Sequence, residues 1–287
     1  MPTLNFSSLS MILINGERRD AINSADRGFQ YGDGLFETIE IHNHQPVFLQ
    51  RHLKRLNLGC QRLLLPPIDN ALLVSEIDEL IKHSPNEKGV LKIIITRGCG
   101  GRGYRQPDDI KTTRVLSLHP FPDYPLSYQQ HGIQARFCQT RLGLNPALAG
   151  IKHLNRLEQI LARAEWHGTD IQEGIVLDIN NHVIEGTMSN VFYVKNQCLY
   201  TADLTYAGVL GIVREIIIEL AQQRGIKVII HAYHQQDLLL ADELFVCNSI
   251  IGLWQVRQLE QKHFIYNQTS LSSRLQQALA EYKTDAQ

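Results

Sequence analysis

A lysine stands at position 152 in the run Gly150-Ile-Lys152-His-Leu-Asn155-Arg156-Leu-Glu158. The approach to it, Leu142 to Gly150, holds Gly143, Asn145, Pro146 and Gly150, a composition that excludes regular helix or central strand. Beyond it Leu154, Leu157, Leu161 and Ala164 recur at helical spacing with polar residues between, so the lysine is expected where an irregular segment turns into a helix. An amine held rigidly and partly desolvated at such a junction has a depressed pKa and can form a Schiff base or carry a proton. The plainer alternative is a solvated lysine in a first helical turn, since burying an ammonium is costly.

Four other groups could act with that amine. Gly208-Val-Leu-Gly211-Ile212-Val213 ends a loop and opens a helix, where free N–H groups and the helix dipole suit a phosphate, or where the chain merely turns. Arg55 sits among helical leucines and can offer a bidentate charge to the same phosphate, or face solvent. Glu185 precedes Gly186-Thr-Met-Ser189-Asn190, a setting in which a carboxylate could hold a heteroaromatic nitrogen protonated or simply cap a turn at the surface. Arg97-Gly-Cys-Gly-Gly-Arg102-Gly-Tyr104-Arg105 packs three arginines around four glycines, as in a loop that meets an anion or a basic hairpin tip. That loop lacks the spacing and following helix of a Walker motif.

The elements that must position these groups alternate without regular βαβ order. Strands are expected at Met11 to Ile14, Val90 to Thr96 and Thr113 to Leu118, and amphipathic helices at Val47 to Leu63 and Ala71 to His83. Three prolines between Pro120 and Pro125 mark a linker. The expected domains are therefore residues 1–120, a smaller α+β unit, and 121–287, a larger α/β unit carrying the lysine. In the second, a strand at Gly132 to Cys138 precedes the lysine junction. Strands at Gly174 to Asp178, His182 to Glu185, Asn190 to Val194 and Cys198 to Thr201 form a meander with turns at Asn180-Asn181 and Lys195-Asn196. Helix Ile212 to Gln223, strands Ile226 to His231 and Leu244 to Asn248, and a closing helix Leu271 to Tyr282 complete it. Two α+β domains fit this order better than a Rossmann sheet.

Bulk properties narrow the function. With 28 Lys+Arg against 29 Asp+Glu in 287 residues, no basic surplus points to nucleic acid. Apolar runs such as Val228-Ile-Ile are too short to span a bilayer, and Met1 to Ser10 lacks the pattern of a signal peptide. Cytoplasmic residence is expected. The five scattered cysteines contain no CxxC, which suits a reducing compartment without a disulfide frame or zinc site. His231 and His234 lack nearby partner ligands, so no metal is expected.

Taken in order, these residues resemble the fold-type IV pyridoxal-phosphate enzymes, over about Ile12 to Val256. The class pattern is Arg27 with Tyr31-Gly-Asp-Gly-Leu-Phe-Glu37, then His52-Leu-Lys-Arg55-Leu, Lys152, Glu185 with Ser189-Asn190-Val-Phe, and Gly211-Ile212. The arginine loop, Leu148 to Glu158 and Cys247-Asn-Ser249 are similar to the lyases of this class that convert 4-amino-4-deoxychorismate to 4-aminobenzoate and pyruvate in folate biosynthesis. The resemblance implies a two-domain architecture like that of D-amino acid aminotransferase, a homodimer, and pyridoxal 5'-phosphate as cofactor. It implies that Lys152 forms the Schiff base and is the catalytic base. Arg55, the backbone of Gly211, Ile212 and Val213, and Ser249 would hold the phosphate. Glu185 would pair with the pyridine nitrogen, and Ser189 and Asn190 would line the cofactor. Related transaminases often carry threonine at the place of Val213, so here phosphate binding leans on N–H groups and Ser249. Arg97, Arg102, Asn155 and Arg156 are candidates for binding the substrate's two carboxylates. A D-amino acid or branched-chain aminotransferase would use the same lysine, and a non-catalytic phosphate- or nucleotide-binding module would leave Lys152 and Glu185 without a task.

Overall fold

The computed structural model describes residues 11–285; the leader reading of Met1 to Ser10 lies outside them. The chain divides into two compact units, one ending at Pro122 but also taking in Ile151–Asn155, the other formed by Asp123–Gly150 and the chain from Arg156 onward.

In unit 1, β1 (Met11–Ile14) turns through Asn15 and Gly16 into β2 (Glu17–Arg18). There follow α1 (Arg27–Tyr31), β3 (Gly34–His42), β4 (Gln45–Pro46), α2 (Leu49–Arg62), α3 (Asn70–Lys82), β5 (Gly89–Thr96) and β6 (Thr113–Pro120). The strands make a six-stranded sheet in the order β2-β1-β6-β5-β3-β4. β3 and β5 pair antiparallel from Gly34 opposite Thr96 to Ile41 opposite Gly89. Leu35, Ile39, Ile41, Leu91, Ile93 and Ile95 on these strands are almost fully buried. Helix α2 lies on β3 through Leu53, Leu56 and Gly59; a Cβ on Gly59 would come within 2.8 Å of the Leu35 methyls. Asp69 starts α3 by accepting a hydrogen bond from Leu72 N–H.

Unit 2 comprises α4 (Leu126–His131), β7 (Ile133–Leu142), α5 (Leu157–Arg163), β8 (Glu173–Asp178), β9 (Val183–Gly186), β10 (Asn190–Lys195) and β11 (Cys198–Ala202). It continues with α6 (Ile212–Gln223), β12 (Val228–His231), α7 (Gln235–Leu239), β13 (Glu243–Asn248), β14 (Gly252–Leu259), β15 (Lys262–His263) and α8 (Leu271–Asp285). Its sheet runs β12-β11-β10-β13-β14-β7-β8-β9, with β15 on β14. β8 is buried along its whole length, as its apolar run and its parallel pairing with β7 require. β11 and β12 also pair in parallel, and a parallel pair needs a crossover; α6 supplies it. That crossover delivers the N-terminus of α6 just past the carboxyl end of β11.

Two expectations change. The helix after Lys152 begins at Leu157, so Leu154 is not in it. Residues 152–154 are pinned instead against β3: Phe36 N–H donates to the Lys152 carbonyl at 2.9 Å and Leu154 N–H to the Gly34 carbonyl at 3.0 Å. Those bonds are why Lys152 groups with unit 1, where the sequence reading had placed it in the second domain. Strands β3 and β14 went unassigned in the sequence because buried polar residues interrupt their apolar alternation. Glu37 and Glu40 do so in β3, and Gln255 does in β14, bonded there to Ser272 and Ser273.

Candidate active site

The candidate residues form one group in each unit. In unit 1 the floor is Glu37, which is 1% exposed on β3. Arg55, one face of α2, donates to both its oxygens, Nε to Oε1 at 2.8 Å and Nη2 to Oε2 at 2.5 Å. His52, one turn earlier on α2, donates from Nδ1 to Oε2 at 2.7 Å. Burial works to raise the Glu37 pKa, but the Arg55 charge and the His52 and Arg55 hydrogen bonds outweigh it and bring it to about 2. Burial pushes His52 below the usual histidine range against the pull of Glu37, with Arg55 and Lys152 adding positive charge nearby. His52 is therefore a neutral ring with its proton on Nδ1, and its buried Nε2 has no hydrogen-bond partner. The half-buried Lys152 places its ammonium 4.3 Å from the centre of the Phe36 ring. Asn155 donates from Nδ2 to the carbonyl of Gly32, which sits at φ 66°.

The other arginines of unit 1 divide. Arg97 is 3% exposed and its donors are committed inside the protein: Nε and Nη2 to the Asp33 carboxylate at 2.8 and 3.0 Å, Nη1 to Leu64 O and Nη2 to Leu63 O. Arg27 reaches the same Asp33 from Nε and closes the glycine loop by donating to Gly103 O at 2.9 Å. Burial works to raise the Asp33 pKa, but Arg97 and Arg27 hold it below the ordinary carboxylate value. The geometry thus gives Arg97 to the loop's foundation. Arg102 is exposed on that loop and retains the freedom a substrate contact needs.

In unit 2 the peptide of Val209 is the meeting point, a residue that sequence reasoning passed over. Its N–H donates to Glu185 Oε2 at 2.8 Å, and its carbonyl accepts from Asn190 Nδ2 at 2.9 Å. Gln159 donates to Glu185 Oε1 at 3.3 Å. Gly208 makes this possible at φ 86°, where a side chain would also crowd Ile184 and Leu204. Gly150 N–H donates to Gly208 O and Leu210 N–H to Gly150 O, which ties the approach to the lysine segment to the same loop. Burial lowers the Arg156 pKa, opposed by Glu185 and Glu158. Ser189 turns inward: its hydroxyl donates to Glu173 Oε2 at 2.6 Å, and Thr187 donates to the other oxygen, so Ser189 anchors the turn between Glu185 and Asn190. Asn248, also missed, donates to Met188 O and accepts from Ile250 and Ile251 N–H, which fixes the turn holding the half-buried Ser249.

Helix α6 begins at Gly211 with extended backbone and no side-chain cap, and Ile212 and Val213 in its first turn are 3% exposed. Buried, uncapped N–H groups at a helix N-terminus suit an anion. A Cβ on Gly211 would lie 2.0 Å from Asn190 Oδ1, so a side chain here displaces that carboxamide. Within unit 2, a buried carboxylate fixed by a backbone N–H and an open helix N-terminus are groups that suit a phosphorylated heteroaromatic ring; within unit 1, a lysine on a pinned segment is an amine that suits an aldehyde.

The sequence matches the amino-transferase class IV family over residues 34–259, and the chain belongs to that family, a class of pyridoxal-phosphate enzymes. An aminodeoxychorismate lyase from Vibrio harveyi is 40% identical over 245 residues, covering 85% of this chain and 89% of that protein. The crystal structure of a 4-amino-4-deoxychorismate lyase from Pseudomonas aeruginosa superposes with a TM-score of 0.89 at 40% identity, over 94% of this chain and 98% of that one. A putative branched-chain-amino-acid aminotransferase from Methanocaldococcus jannaschii is 30% identical over 258 residues, covering 87% of this chain and 88% of that protein.

Proposed function

We propose that this protein is a pyridoxal-phosphate-dependent lyase that converts 4-amino-4-deoxychorismate to 4-aminobenzoate and pyruvate. The observation that carries the reading is the 40% identity to the Vibrio lyase across most of both chains, against 30% for the aminotransferase relative. The bound cofactor would supply an aldehyde that captures amines and a ring that takes up an electron pair.

The chain's own residues then have defined tasks. Lys152 would be the amine that attaches to the aldehyde and the base that takes the proton from the substrate carbon bearing nitrogen. Its pinned main chain restricts where that amine can reach. Glu185 would pair with the ring nitrogen, and Val209 N–H and Gln159 hold its carboxylate in one orientation for that contact. The N–H groups of Ile212 and Val213 would hold the phosphate together with Ser249, and Arg55 is the further residue that the resemblance assigns to it. Glu37 keeps Arg55 and His52 in place. Arg102, Asn155 and Arg156 are the residues we assign to the substrate's two carboxylates. Loss of the ring's oxygen substituent as enolpyruvate gives an aromatic product, which drives the step. An aminotransferase would return the proton elsewhere with the same lysine, so the substrate decides between the two.

The protein is expected to act in the cytoplasm as a homodimer and to feed folate synthesis. Its five free cysteines suit a reducing compartment, and the exposed Leu157, Ile160 and Leu161 on one side of α5 offer a second copy an apolar contact. Among the described residues, no helix is long and apolar enough to cross a membrane. The deciding assay supplies purified protein with 4-amino-4-deoxychorismate and follows 4-aminobenzoate and pyruvate. Equal release of both supports the lyase; no product, alongside rapid amino transfer to 2-oxo acids, replaces it with the aminotransferase.

A further inference from the structure

Arg214 is a buried cation with no task in the reaction described above. It is the third residue of α6 and is 6% exposed. Its Nη2 donates to the Ala202 carbonyl at 3.0 Å, at the end of β11, while its buried Nε has no hydrogen-bond partner. The titratable groups whose charge acts on it are the Cys247 thiol, the Tyr233 hydroxyl, Asp203 and Glu215. The thiol and the phenol are both buried and pushed upward, so both are neutral. Burial holds the arginine's own pKa below its usual value. Among the described residues no carboxylate makes an ion pair with it.

This placement is unfavourable twice over. A guanidinium taken out of water needs an opposite charge and a full set of acceptors. A cation in the first turn also repels the positive end of the helix dipole, where anions are the stabilising partners. Both costs fall if a dianion docks on the uncapped N–H groups ahead of Ile212. The field of Arg214 then adds to that of the helix rather than opposing it, through protein rather than water.

We infer that Arg214 is a positioning residue of the phosphate site: an electrostatic support, out of contact with the ligand, that makes the α6 N-terminus select a doubly charged phosphate. The inference rests on the cofactor reading above and adds the residue that sets its charge selectivity. It also explains why the chain tolerates a half-satisfied arginine in its interior.

The test compares Arg214→Gln, which keeps a donor for Ala202 and removes the charge, with Arg214→Lys, which keeps part of the charge. Full-length protein stripped of cofactor is titrated calorimetrically with inorganic phosphate, with pyridoxal 5'-phosphate and with unphosphorylated pyridoxal. The expected result for R214Q is a loss on the order of tenfold in affinity for phosphate and pyridoxal 5'-phosphate. Affinity for pyridoxal should stay at the wild-type value. R214K should lie between R214Q and wild type for phosphate and pyridoxal 5'-phosphate, because burial depresses the lysine pKa and leaves it only part of the charge. The melting temperature gained on adding phosphate should shrink in R214Q and shrink less in R214K. Wild-type phosphate affinity in R214Q overturns the inference, as does an equal loss for pyridoxal, which would mark a merely structural role. Should wild-type protein bind neither phosphate nor pyridoxal 5'-phosphate, the cofactor reading itself fails.

Discussion

Glu37→Gln isolates the electrostatics that hold the α2 face of unit 1. The carboxyl is 1% exposed, and its folded pKa of about 2 lies well below the ordinary 4.5. A depressed carboxylate contributes stability above its unfolded pKa and loses it as pH falls through the folded pKa. The shift of about 2.5 units corresponds to about 3 kcal/mol, fully present at pH 7 and lost between about pH 5 and pH 2. About 2 kcal/mol of that is lost by pH 3, from the same two pKa values. The glutamine variant cannot lose it. It should be less stable than wild type at pH 7 by about 3 kcal/mol or more, since it strands the Arg55 guanidinium beside an amide. Its stability should then fall about 2 kcal/mol less than wild type's between pH 5 and pH 3. Urea unfolding followed by far-ultraviolet circular dichroism at both pH values measures the difference; tryptophan fluorescence would not serve, because Trp166 and Trp254 both lie in unit 2. Parallel losses in the two proteins would refute the claim that Glu37 is ionised and held by Arg55 and His52.

Three further outcomes follow from the geometry. Lys152→Ala should abolish product formation and the cofactor's near-visible absorbance while changing stability by no more than about 1 kcal/mol, because the bonds to β3 use its backbone; retained turnover would sink the lysine's role. Arg97→Ala should destabilise unit 1 by about 3–5 kcal/mol, since it leaves the Leu63 and Leu64 carbonyls and half of Asp33 unserved; a normal urea midpoint with a raised KM would return Arg97 to the substrate. Gly211→Ala, at φ −68°, is unstrained in backbone but drives its Cβ into Asn190, so cofactor affinity measured by absorbance titration should drop on the order of tenfold or more while the melting temperature moves little.

Much of the site was legible because local chain chemistry writes it. The glycine spacing at Gly208 and Gly211 marks a close backbone approach and a helix start in any context, and α6 begins where that spacing places it. The proline and glycine content before Gly150 rules out regular structure and leaves an irregular support for the lysine. The arginine loop shows the opposite case. Its composition announces a basic loop, yet Arg97 and Arg102 look alike in sequence and have opposite fates, because Asp33, 64 residues from Arg97, claims only one of them. The resemblance implies that Ser189 lines the cofactor; in the structure Glu173, on another strand, engages its hydroxyl.

The sequence by itself determined the type of chemistry: an amine at an irregular junction, a carboxylate before a small polar turn, and a glycine-opened helix, each set by a few adjacent residues. The tertiary structure alone decided how each group is held. Glu37 is buried, ionised and useful only because α2 brings Arg55 and His52 over β3. Glu185 is oriented because Gly208 turns the Val209 N–H toward it and Gln159 reaches its other oxygen. Arg214 becomes an interior charge only when α6 packs against β13 and α8. Long-range pairing sets burial, and burial sets the strength of every charge, so these assignments cannot be read from neighbours along the chain.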